Sequence, residues 1–138
     1  MFSARGPFDR NKTLWGGFVL ETPAGAIYFA GDSGDGPHFA AIRDRFGPMT
    51  LSLLPIGAYL PRWFMAPVHM HPDEAVAASE TLQSRVTLPI HFGTFLLADD
   101  GFDEPLRVLQ ETLATRRTAG ADLDFRVPEF GEPVVIGR

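Results

Sequence analysis

The chain has 138 residues, of which 45% are hydrophobic and 21% charged, enough for one domain with a proper core and no more. A net charge of −5 excludes general nucleic-acid binding, which wants a basic patch, and the absence of cysteine excludes a disulfide framework while allowing a reducing compartment. No run of about 18 apolar residues marks a transmembrane helix, and Met1-Phe2-Ser3-Ala4-Arg5 has no apolar core of signal-peptide type. A cytoplasmic location, at most peripheral to a membrane, is therefore expected.

Residues 1–13 read as a polar loop with Gly6-Pro7 as a turn signal. Leu14–Leu20 is a β-type run, and Thr22-Pro23-Ala24-Gly25 turns into a second strand over Ala26–Ala30, giving an antiparallel hairpin. Phe39, Ile42 and Phe46 recur at helical spacing, so a short helix runs from about Pro37 to Gly47-Pro48. Leu51–Ile56 is a buried strand leading into the loop Gly57–Val68. Pro72 sits well at a helix start, with Asp73 and Glu74 favouring its positive end, and the helix reaches about Leu82. His71 takes the capping position before it and reads as structural. Val86–Ile90 is a strand, a third helix starts at Asp103-Glu104-Pro105 with an apolar stripe of Leu106, Leu109 and Leu113, and Gly120 caps it. Val134-Val135-Ile136 reads as a closing strand. No repeat, linker or low-complexity segment interrupts this α/β alternation.

The chain is organised around Ile27-Tyr28-Phe29-Ala30-Gly31-Asp32-Ser33-Gly34-Asp35-Gly36, a buried strand followed by a Gly-rich acidic loop. Open α/β sheets place their chemistry at such strand ends. Three roles compete for this loop. Asp32 and Asp35 could be turn formers bonding their own backbone. Ser33 could be a nucleophile, since Gly31-Asp32-Ser33-Gly34 resembles the segment around the serine of trypsin-like proteases and, less closely, of GDSL-type esterases. All four histidines (His38, His69, His71, His91) follow that serine, and no Asp stands three residues before His69, His71 or His91, so neither serine pattern is completed. The remaining role is metal ligation. Asp32 and His91 share an address at the end of a buried strand, and a carboxylate with an imidazole suits zinc or a similar ion. By itself His91 reads equally as a hydrogen-bonded histidine.

A resemblance sharpens these alternatives. Phe8-Asp9-Arg10-Asn11-x-Thr13-Leu14-Trp15-Gly16, Phe29-Ala30-Gly31-Asp32-Ser33-Gly34, Pro55-Ile56-Gly57-Ala58-Tyr59-x-Pro61-Arg62-Trp63-Phe64-Met65, His69-x-x-Pro72-x-Glu74-Ala75-Val76 and Ile90-His91-Phe92-Gly93-Thr94-Phe95 occur in this order. Together they resemble the C-terminal half of metallo-β-lactamase-fold hydrolases related to N-acyl-phosphatidylethanolamine-hydrolysing phospholipase D. The resemblance implies an α/β fold forming one half of an αββα sandwich, over residues 1–138 as a single partial domain with its N-terminal half missing. It implies that Asp32 bridges two metal ions, zinc in the first instance, and that His91 is a terminal ligand of one. It places His69 at the phospholipid head region, with a solvent-exposed loop histidine as the alternative. Tyr59 and Arg62, beside Trp63 and Phe64, suit a phosphate next to acyl chains, although the two aromatics could equally be core. His38 carries no match and is expected at the surface.

The departures shape the expected function. The His-x-His-x-Asp-His motif of the family is absent, and Met1 stands where another ligand histidine is expected. A truncated reading frame, a fragment or half of a split protein is the corresponding expectation. The implied function is metal-dependent hydrolysis of a phosphodiester, with N-acylphosphatidylethanolamine-like lipids as substrate; lactones of sugar phosphates are the alternative substrate class. The opposing expectation is an inactive half-domain that binds a partner chain or a membrane surface. A missing sheet partner implies an apolar face, hence self-association or a complementary N-terminal half.

Overall fold

The computed structural model describes Phe8 and residues 16–137. The loop expected over residues 1–13, the start of the first β run at Leu14 and Trp15, and the Met1 position therefore lie outside the described residues, Phe8 excepted. Four strands, β1 (Phe18–Thr22), β2 (Gly25–Phe29), β3 (Met49–Pro55) and β4 (Val86–Ile90), form one sheet in the order β1-β2-β3-β4. β1 and β2 make the expected antiparallel hairpin, with Leu20 opposite Ile27. β2, β3 and β4 run parallel, with Phe29 opposite Leu53 and Pro55 opposite Ile90. The parallel crossovers carry helices α1 (His38–Phe46) and α3 (Pro72–Leu82), and α4 (Glu104–Thr118) follows β4. The short helix α2 (Arg62–Met65) interrupts what the sequence suggests is an uninterrupted loop.

The helices bury one face of the sheet. Ala26 and Tyr28 of β2 and Leu54 of β3 meet Phe39 of α1, Val76 and Leu82 of α3, and Leu109 and Leu113 of α4. That pattern follows the alternation of a pleated strand and the helical repeat, so the expected apolar stripes face inward. α3 starts with a reciprocal cap: His71 accepts from the Asp73 amide, and the Glu74 carboxylate accepts from the His71 amide at 2.7 Å. The structural role expected of His71 is thus realised as a capping box.

The opposite face presents Phe18 and Leu20 of β1, Ile27 and Phe29 of β2, Leu51 and Leu53 of β3, and Leu88 and Ile90 of β4, all exposed or half-buried. Phe18 is 73% exposed and Leu20 61%. A contiguous apolar surface across four strands is uncommon on a soluble domain that stands alone.

The closing strand expected at Val134–Ile136 does not form. The edge of β4 is met instead at Phe125, where Thr87 donates to the Asp124 carbonyl and accepts from the Arg126 amide, both at 2.9 Å. That single bridge leaves the β-prone tail without a ladder, and Val135 is 83% exposed. Arginines hold the tail in place of a strand, Arg126 reaching the Val135 carbonyl at 3.5 Å and Arg85 the Gly137 carbonyl.

The two faces make a stability test. Leu54→Ala, at a site with no exposure, is expected to cost about 2–5 kcal/mol in urea unfolding. Leu53→Ala, one residue earlier and on the open face, is expected to cost less than about 1 kcal/mol. Equal losses would show that the open face is covered in solution.

Candidate metal centre

Three side chains converge at the C-terminal ends of the parallel strands. Asp32 lies just past β2, His69 in the connection between β3 and α3, and His91 directly after β4. Gly31, at φ +68°, lets the chain turn sharply out of β2 before Asp32. His91 itself adopts φ +61°, a left-handed conformation that costs a non-glycine residue about 1–2 kcal/mol. Gly57 makes this possible by packing against it, since a Cβ there would sit 2.1 Å from the His91 carbonyl oxygen. Gly34 plays the equivalent part for the other two groups: a Cβ there would lie 2.7 Å from the Pro67 carbonyl oxygen, so the Asp32 loop rests directly on the His69 loop.

One ligand atom from each of Asp32, His69 and His91 falls within 4.8 Å of the others, and among the described residues this is the one such group of three. His69 Nδ1 stands 2.8 Å from Asp32 Oδ1, and His91 Nε2 stands 3.7 Å from Asp32 Oδ2. The imidazoles are tilted by 38° with centroids 5.4 Å apart. Despite the 2.8 Å approach, Asp32 Oδ1 and His69 Nδ1 make no hydrogen bond, and both are buried without a partner, as is His91 Nδ1. Burying polar atoms unpaired is costly. A cation held through Asp32 Oδ1, His69 Nδ1 and His91 Nε2 would satisfy the carboxylate oxygen and the His69 nitrogen, while His91 Nδ1 lies on the other side of its ring. Two imidazoles and one carboxylate are a donor set that holds a divalent ion while leaving a coordination position open. The residues present fit one such ion.

The other residues singled out in the sequence lie outside this cluster. Tyr59 is buried, donates its hydroxyl to Glu104 Oε1 at 3.0 Å and packs edge-on against His71. Burial first, then the Glu104 carboxylate, raise its pKa and keep it a phenol. Arg62 donates to Glu74 Oε1 at 2.6 Å and to the His69 carbonyl at 3.1 Å, so it backs the cluster from behind. Trp63 and Phe64 are exposed, 84% in the case of Trp63, and are not core. Ser33 is fully buried and donates to the Gly34 carbonyl at 3.0 Å, which removes it from reach of a substrate. His38, expected at the surface, is half-buried with Nε2 3.4 Å from Ser33 Oγ; burial lowers its pKa, partly offset by Asp35.

Asp100 was given no role by sequence reasoning. Its buried carboxylate accepts from the amides of Ala58 (3.0 Å) and Leu60 (3.4 Å), fixing the turn in which Ala58 also takes φ +61°. That turn follows Gly57 and so braces His91. Spacing could not reveal it, because an acceptor for a strained turn is recognisable only once the turn exists. A cavity of about 420 Å³ opens beside His91, lined mainly by Pro89, Ile90, Phe92, Phe95, Leu97 and Phe130, with no charged side chain.

The model of the beta-lactamase superfamily domain matches residues 1–92. The chain belongs to that superfamily. Outer membrane protein RomA of Klebsiella pneumoniae is 48% identical over 92 residues, which are 67% of each chain. N-acyl-phosphatidylethanolamine-hydrolyzing phospholipase D 1 of Caenorhabditis elegans is 36% identical over 93% of this chain, which spans only 36% of that protein. Among solved structures, the metallo hydrolase Igni18 of Ignicoccus hospitalis superposes with a TM-score of 0.63 at 26% identity, over 90% of this chain and 46% of the other. The α/β architecture is therefore of the metallo-β-lactamase type, and metal-dependent hydrolases recur among the superfamily members it resembles.

Removing the Asp100 carboxylate tests the bracing of the centre. Asp100→Ala leaves two amides without their acceptor and is expected to lower stability by about 2 kcal/mol or more, at about 1–3 kcal/mol per buried unpaired group. Asp100→Asn, which keeps one acceptor oxygen, should recover part of that. An unchanged denaturation midpoint for Asp100→Ala would remove this role.

Proposed function

We propose that this chain supplies the strand-end donors of a metal-dependent hydrolase that cleaves phosphodiesters, with N-acylphosphatidylethanolamine-like phospholipids as its substrate class. The observation that carries this reading is the convergence of one ligand atom each from Asp32, His69 and His91, with Asp32 Oδ1 and His69 Nδ1 buried and not hydrogen-bonded. Its substrate side is supported by the N-acyl-phosphatidylethanolamine-hydrolyzing phospholipases D of Caenorhabditis elegans and Saccharomyces cerevisiae, which match 93% and 79% of this chain at 36% and 39% identity. The uncharged cavity beside His91 has the character an acyl chain requires, and it opens next to the donors.

In this reading Asp32 and His91 hold zinc, and His69 completes the donor set from the intervening loop. When bound, the ion supplies Lewis acidity toward a phosphoryl oxygen. Asp32 contributes the negative charge that fixes the cation, and the strained backbone of His91 keeps its ring directed at the carboxylate. The apolar residues next to His91, Phe95, Leu97 and Phe130 among them, offer an open surface on which an acyl chain could rest beside a phosphate held at the donors. A second ion would require donors beyond these three. The chain spans 36% and 24% of the two phospholipases, so the activity of a whole enzyme rests on residues outside the match.

A second reading is favoured by one observation, the apolar face of β1–β4: the chain is a half-domain that associates with a second copy or a complementary chain. Among the described residues no helix is long and apolar enough to cross a membrane.

Zinc content and hydrolysis of bis(p-nitrophenyl) phosphate separate the two. About one equivalent of zinc with measurable turnover, both lost in Asp32→Ala, is the result expected of the hydrolase. Zinc at background and no turnover, together with a dimeric mass in sedimentation, would favour the half-domain.

A further inference from the structure

The segment that delivers His69 is pinned at three successive residues. The His69 amide donates to the Met65 carbonyl at 2.8 Å, and its carbonyl accepts from Arg62 Nη1 at 3.1 Å. Met70 has no exposure and is locked in the core. The His71 amide donates to Glu74 Oε2 at 2.7 Å, while Glu74 Oε1 accepts from Arg62 Nη2 at 2.6 Å. One carboxylate and one guanidinium thus join the start of α2, the His69 carbonyl and the first turn of α3 into a single clamp. Both side chains are about 30% exposed, at 31% and 28%, so the pair is partly shielded from solvent screening.

We propose that Arg62 and Glu74 are positioning residues that set His69 Nδ1 against Asp32. The proposal rests on the reading of Asp32, His69 and His91 as metal donors. Its physical basis is the geometry of the two groups. A guanidinium presents parallel donors in a fixed fork, so it can grip a carboxylate and a carbonyl at once, which an ammonium cannot do with the same rigidity. The Glu74 carboxylate has two oxygens and uses one for the cap of α3 and the other for Arg62. Any rotation of residues 69–71 that carried His69 away from Asp32 would break bonds at both ends of this clamp. Asp32 and His91 have no such link to the pair, so its loss should act on one donor of the three.

The test uses His91 as an internal control. In metal-free protein with 13C-labelled histidine rings, Arg62→Gln is expected to increase the ring motion of His69 by NMR relaxation while His91 stays as in the wild type. Zinc affinity by competition with a chelating dye is expected to fall about 10–100-fold, the range typical of partners that orient a ligand. Arg62→Lys should restore only part of both readouts. Glu74→Gln keeps an acceptor for the capping box but has only one oxygen to offer, and should give an intermediate loss in a helix that still forms. This variant carries the test if Arg62→Gln does not fold. An unchanged His69 ring in these variants, with zinc affinity at the wild-type value, would overturn the proposal. Absence of zinc binding by the wild type would remove the metal reading instead, and the relaxation of the His69 ring would then decide the positioning role alone.

Discussion

Three neighbouring strands, β2, β3 and β4, run in the same direction, and everything at the candidate centre depends on that. Parallel strands leave all their carboxyl ends at one edge of the sheet, so a side chain just beyond each arrives at a common place. The ladder does not stop where the strands formally end. The Ala30 amide donates to the Leu53 carbonyl at 3.0 Å and the Ile56 amide to the Ile90 carbonyl at 3.1 Å. These two bonds fix the level at which the chain leaves the sheet toward Asp32 and past His91. The loops inherit the order of the sheet rather than having to find it.

What the sheet provides in height, the loops provide in direction, at a local conformational cost. His91 and Ala58 both hold left-handed backbone angles that side chains resist. Such residues persist only where the surroundings over-determine them. Here Gly57 gives the His91 carbonyl its space, and Asp100 captures the amides on either side of Tyr59. A carboxylate buried for two backbone donors, a glycine without room for a methyl group and a strained histidine are therefore parts of one arrangement. The capping box at α3 serves the opposite side of the centre in the same manner, with Glu74 shared between a helix terminus and an arginine.

The strands and helices were legible because their signals are local. The four apolar residues before Gly31, the spacing of Phe39, Ile42 and Phe46, and Pro72 ahead of two acids each specify an element without knowledge of its neighbours. Asp32 and His91 were legible as strand-end residues, and the resemblance to a hydrolase family singled them out. Their meeting with His69 was not legible, since it depends on two loops resting against each other through Gly34 and Pro67. The tail failed for a related reason. Val134-Val135-Ile136 has the composition of a strand, but a strand needs an edge, and Phe125 already stands against β4. The burial of His38 beside Ser33 is likewise a property of packing, invisible in the order of residues.

The contact between Gly34 and the Pro67 carbonyl also bears on how this centre could be moved or remodelled. The loop carrying Asp32 and the loop carrying His69 have no spare volume between them, although they lie far apart along the chain. Lengthening either one, or grafting either onto another scaffold, would separate the carboxylate from the imidazole even if every donor were retained. The transplantable unit is accordingly the pair of loops with their glycine, taken as a single block.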